Sequence, residues 1–179
     1  MGARSAVCFV SCVLVVAVAG CGGHDTSGRT LGDYAKAECD LMAEYNDHFQ
    51  KLLHDFTTNM RNQAALADTV AAFGDAQQDM LAKSDALGDP PNGEGVAGDA
   101  EAKALTKSAV QQFHDLASSI RVAETEAEIR AGVSKVTDLA VRLGQQGAEL
   151  KKKYPTPELE KARKAIPGCS ELFGDTAAN

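Results

Sequence analysis

Ile129, Val133, Val136, Ala140, Leu143, Gly147 and Leu150 follow one another four and three residues apart without a miss. That spacing lines one side of an α-helix and would put a strand's apolar side chains on both faces, so this stretch predicts an amphipathic helix with something packed on it. The same stripe would suit a coiled coil between molecules. Three other stretches of the chain carry a comparable pattern, so an intramolecular bundle is the expected partner. Met42, Tyr45, Phe49, Leu52, Phe56 and Met60 predict a first helix over about 30–61, and this stripe holds three of the nine aromatic residues. Leu66, Val70, Phe73, Met80 or Leu81, and Leu87 predict a second over about 63–87, its seam weakened by Gly74 and Gln77. Leu105, Ala109, Phe113, Leu116, Ile120 and Ala123 predict a third, with Asp99 as its N-cap. No stretch alternates with the period of a strand. The expected fold is all-α: an antiparallel bundle of about four long helices plus a short C-terminal helix, in one domain spanning 30–174.

Boundaries follow from local chemistry. Thr125-Glu126-Ala127-Glu128 reads as a capping box opening the fourth helix. Pro155 ends that helix, and Thr156 with Pro157 starts a short one to about Ala165 as cap and first residue. Pro167-Gly168 then turns the chain into Cys169, and residues 175–179 are expected as a disordered tail. Gly88-Asp89-Pro90-Pro91-Asn92-Gly93-Glu94-Gly95 collects turn formers with no apolar anchor, and is expected to be the main mobile loop. Its glycines lack the Gly-x-x-x-x-Gly-Lys-Ser/Thr string of a phosphate cradle.

A different pattern precedes the bundle. One early cation, Arg4, an apolar run from Ala6 to Val18 broken only by Ser11 and Cys12, and small residues before Cys21 have the layout of a secretory signal over 1–20. The run is shorter than the roughly 20 apolar residues that a membrane-spanning helix needs. Val18-Ala19-Gly20-Cys21 resembles the lipobox of bacterial lipoproteins. That resemblance implies cleavage after Gly20, a diacylglycerol with palmitate-class acyl chains on the Cys21 sulfur, and anchoring of the mature chain to the cell membrane. Residues 21–29 would then be a short flexible tether, polar and glycine-bearing. Taken together, an alanine- and glycine-rich chain with a lipobox and a cysteine pair looks like the small lipoproteins of actinobacteria.

With Cys8 and Cys12 leaving in the signal and Cys21 lipidated, Cys39 and Cys169 remain of the five cysteines. In an exported domain oxidation is permitted, and they are expected to form a disulfide; the alternative is two unpaired buried thiols. A bridge between residues 130 apart would stabilise the chain by roughly 4–5 kcal/mol in the chain-entropy account. Removing the leader leaves 159 of 179 residues, enough for a self-sufficient core. Net charge moves from −7 to −8 when Arg4 is lost, which disfavours nucleic acid as a partner. Lys151-Lys152-Lys153 reads better as the complement of a helix C-terminus than as a phosphate grip.

Motifs for chemistry are missing. No Glu-x-x-His pair of the di-iron bundles occurs; Glu44 and His48 stand four apart, and His54 falls on another side of the helix. Ser108, Ser118 and Ser119 lie on predicted helix with no nucleophile elbow. No cofactor, metal or catalytic residue is expected. The sequence points to a non-enzymatic, lipid-anchored module on the extracytoplasmic face of the cell membrane that contacts another envelope component. A bundle that opens around a lipid or other apolar ligand is the alternative, with room suggested by Gly74, Ala140, Gly144 and Gly147.

Overall fold

A computed structural model of the chain describes residues 28–173. The expected signal over 1–20, the expected lipidation site at Cys21, most of the expected tether and the expected tail over 175–179 lie outside the described residues. Within them the protein is an all-α bundle: α1 (Leu31–Thr58), a 3-10 turn (Asn59–Arg61), α2 (Gln63–Leu87), α3 (Val96–Arg121), α4 (Glu126–Lys153), α5 (Pro157–Lys164) and α6 (Cys169–Leu172). No strand occurs among the described residues. The C-terminus supplies two short helices where one was expected.

The long helices run antiparallel in chain order. Lys83 bonds Glu44 across α1 and α2, while further along the same pair Asn59 donates to the Thr69 hydroxyl. On α2 and α3, His114 faces Asp75 and Lys103 faces Asp85. Lys153 at the end of α4 reaches Glu101 at the start of α3, 2.7 Å away. At ~1.5 Å per residue, the four long helices each extend about 40 Å.

Two N-termini carry full capping boxes. Thr30 accepts from the Asp33 amide while Asp33 reaches back to Thr30, and Thr125 and Glu128 do the same at α4. Asn62 caps α2 through the Ala65 amide. The third helix begins earlier than expected: Gly95 at φ +85° is the cap, and Asp99 sits inside the first turn, buried and paired with Lys103.

The main core joins all four long helices. Phe49, Leu52, Leu66, Val70, Phe73, Phe113, Ile120, Val136, Leu139 and Leu143 are buried in one cluster. Phe73 is its hub, with ring centroids 5.2 Å from Phe49, 6.0 Å from Phe56 and 5.8 Å from Phe113. Of the α1 stripe, Met60 is half-exposed, because the 3-10 turn winds it out of phase with the helix before it. Leu139, which the four-and-three stripe on α4 passes over, is among the most deeply buried side chains.

Candidate functional site

The two cysteines singled out from the sequence meet at the end of the bundle where the described chain begins. Cys39 on α1 and Cys169 at the start of α6 are disulfide-bonded, with Cα atoms 5.5 Å apart and both residues buried. Beside them, Glu38 and Arg163 form a two-point ion pair: Nε donates at 2.7 Å and Nη2 at 2.5 Å to the two carboxylate oxygens. The side chains are only 6% and 3% exposed, so water contributes almost nothing to screening this pair. The Phe173 ring covers the guanidinium from 4.1 Å.

Apolar packing completes the clamp. Leu159 of α5 is fully buried against Tyr34 and Ala35 of α1, with Leu31, Leu87, Ala162 and Ile166 around them. The Tyr34 phenol is held well above its ordinary range, chiefly by burial and further by the Glu38 carboxylate, against the opposing pull of Arg163. Residues 157–173 thus form a strap across the first three turns of α1. It is fastened by Leu159, by the ion pair and by the bridge.

The loop before α3 belongs to the same assembly. Gly88 and Pro90 are buried, and Glu94 accepts from the amides of Glu158 at 3.2 Å and Leu159 at 2.9 Å. Thr156 holds the cap position of α5 but makes no side-chain cap bond. Glu94 does that work from another segment, so the 88–95 loop is anchored where the sequence suggested freedom. Arg29 adds a bond to the Leu87 carbonyl, 2.9 Å away.

Beneath the loop lies a small charged cluster. Lys103 pairs with Asp85 at 2.7 Å and Asp99 at 2.9 Å. Burial raises the Asp99 carboxyl above its usual range; the Lys103 bond opposes that, while Asp85 and Asp89 reinforce it. One oxygen of Asp89 and one of Asp99 have no hydrogen-bond partner among the described residues.

His48 and His54, the histidines weighed from the sequence, are exposed on α1. His114 on α3 lies 3.3 Å from Asp75 on α2. Among the described residues no group of three or more His, Cys, Asp or Glu is placed to hold a metal ion. Nor is any described helix long and apolar enough to cross a membrane. Gly74 accommodates the His114 ring, and Gly132 accommodates Ile120, so at both positions the missing side chain serves close helix packing. The Lys151-Lys152-Lys153 run ends α4, and Lys153 is held by Glu101 and lies 5.0 Å from the Tyr154 ring centroid.

Glu38, Arg163 and Glu94 escaped the sequence reading, since a lone charge on an amphipathic helix or in a polar loop ordinarily faces water. Thr30-Leu31-Gly32-Asp33, a capping box with aspartate in the glutamate position, was the one local signal available and unused at this end. No known protein family, curated protein or solved structure matches the chain.

Proposed function

We propose that the chain is a lipid-anchored module of the bacterial cell envelope, held at the extracytoplasmic face of the membrane by acyl chains on Cys21 and acting by contact with another envelope component, without catalysis of its own. The observation that carries this reading is the pairing of Cys39 with Cys169 downstream of a signal-like run ending in Val18-Ala19-Gly20-Cys21. Buried disulfides belong to oxidising compartments, and the lipobox-like string supplies both export and anchor. Two acyl chains give far firmer membrane attachment than one, which suits a domain with no described spanning helix. The described fold begins at Gly28, seven residues after Cys21, and a chain that short reaches at most about 25 Å. The strap end of the bundle would therefore face the lipid and the α3–α4 turn would face outward.

Expression of the full chain in a bacterial host with fractionation tests this. The wild type should sediment with membranes through a high-salt wash, enter detergent, and carry a fatty-acylated N-terminal cysteine by mass spectrometry. Cys21→Ala should accumulate at precursor length. A Cys21→Ala chain that is still cut after Gly20 and still sediments with vesicles would overturn the reading.

A further inference from the structure

We propose that Glu38 and Arg163 are positioning residues for oxidation: their ion pair docks the C-terminal strap before any sulfur bond exists, and so speeds the joining of Cys39 to Cys169. The two cysteines that join are separated by 130 residues. Chance encounter across so long a loop is slow. Glu38 immediately precedes Cys39, and Arg163 lies six residues before Cys169. Once the ion pair forms, the loop still to be closed shrinks to about seven residues. Since closure probability falls roughly as the three-halves power of loop length, the gain is on the order of a hundredfold.

The path from Arg163 to Cys169 suits this role. Backbone bonds from Ile166 to Arg163 at 3.0 Å and from Cys169 to Ile166 at 3.2 Å lay successive turns between them. Gly168, at φ +78°, is the residue on which the four-residue α6 can swing while α5 stays docked. That separation matters because Cys39 and Cys169 are both buried in the closed form, where an external oxidant has no access. Arg163 and Leu159 hold α5 in place while α6 opens and presents the Cys169 thiolate. Attack on an external disulfide gives a mixed disulfide and releases one thiol. Cys39 thiolate then displaces the second external thiol, so the S–S bond forms as two electrons pass to the oxidant and two protons are lost.

The test uses the full chain in detergent, fully reduced. In reduced wild type, hydrogen exchange should show the Leu159-to-Arg163 amides protected to within about threefold of the oxidised protein. Glutathione disulfide should then give the Cys39–Cys169 bond with little glutathione adduct trapped at either cysteine. Glu38→Gln and Arg163→Lys should each slow the second, intramolecular step at least tenfold and let the glutathione adduct accumulate at Cys39 or Cys169. Leu139→Ala, which weakens the main core elsewhere, should leave the rate of closure unchanged. The proposal is overturned if reduction alone frees residues 157–173, if both ion-pair variants close at the wild-type rate, or if Leu139→Ala slows closure as much as they do.

Discussion

The carboxylate of Glu94 lies 2.9 Å from the amide of Leu159, so a residue of one loop caps a helix sixty-five positions further along the chain. The N-terminal amides of α5 have no local side-chain acceptor, because Thr156 does not supply one. Glu94→Ala should therefore cost about 1–2 kcal/mol, the ordinary worth of a lost N-cap, and Thr156→Ala should cost less through this route. Urea midpoints of the two variants against wild type check the order.

The Glu38–Arg163 pair sits almost wholly out of water. Arg163→Met leaves a buried carboxylate without its cation, and should destabilise the protein by about 3–5 kcal/mol. Glu38→Leu with Arg163→Met removes both charges, and should recover most of that loss because no charge is then left buried without its partner. Denaturant unfolding of both singles and the double gives the coupling directly.

At Gly98 a Cβ would stand 2.7 Å from Tyr154 Cδ2 and 2.9 Å from Cγ, at the root of a ring whose hydroxyl is bonded to Glu101. The ring cannot swing aside without giving up that bond. Gly98→Ala gains about 1 kcal/mol of helix propensity yet should still lose about 1–2 kcal/mol net through overpacking. Substituting Tyr154→Leu beside it should relieve the penalty; thermal melts of the two variants decide.

Bonds from the capping segments hold two carboxyls below their usual range: Asp33, chiefly through the Thr30 hydroxyl and then its amide, and Glu128, chiefly through the backbone amides of Glu124 and Thr125. A depressed folded-state value means that the unfolded chain takes up the proton more readily. Their contribution is complete above the unfolded carboxylate range and is lost as pH falls through that range toward the lower folded values. Glu128→Gln should flatten the acid limb of the stability curve below about pH 4.5 while leaving its slope between pH 6 and 8 unchanged, as read from melts across pH.

Legibility from sequence tracked the range of the interaction. The expectation of a second helix over about 63–87 matches Gln63–Leu87, because its apolar spacing is local and the breakers from Gly88 to Pro91 stop it. The capping box at Thr125 placed α4 for the same local reason. Leu139 was passed over because a single four-and-three stripe describes contact with one neighbour, whereas the α4 core face is wide enough to bury a second row. Asp99 resembled a cap, but the left-handed Gly95 starts the helix a turn earlier and leaves the aspartate to Lys103. The 88–95 loop looked free since its anchors, Glu94 on α5 and Pro90 in the interior, depend on segments that periodicity cannot bring together. The same holds for Glu38 and Arg163, 125 residues apart and unremarkable until folded. The cysteines alone reached across such a distance, because assigning Cys8, Cys12 and Cys21 to the expected leader and anchor left a single pair.

The bridge also sets the mechanics of the chain. Tension applied between Gly28 and Phe173 runs along the opening turns of α1, crosses from Cys39 to Cys169, and leaves through α6. The 130-residue loop that holds the rest of the bundle carries none of that load while the sulfurs stay joined. A tug on both termini would stretch a short covalent bypass and leave the aromatic hub at Phe73 slack.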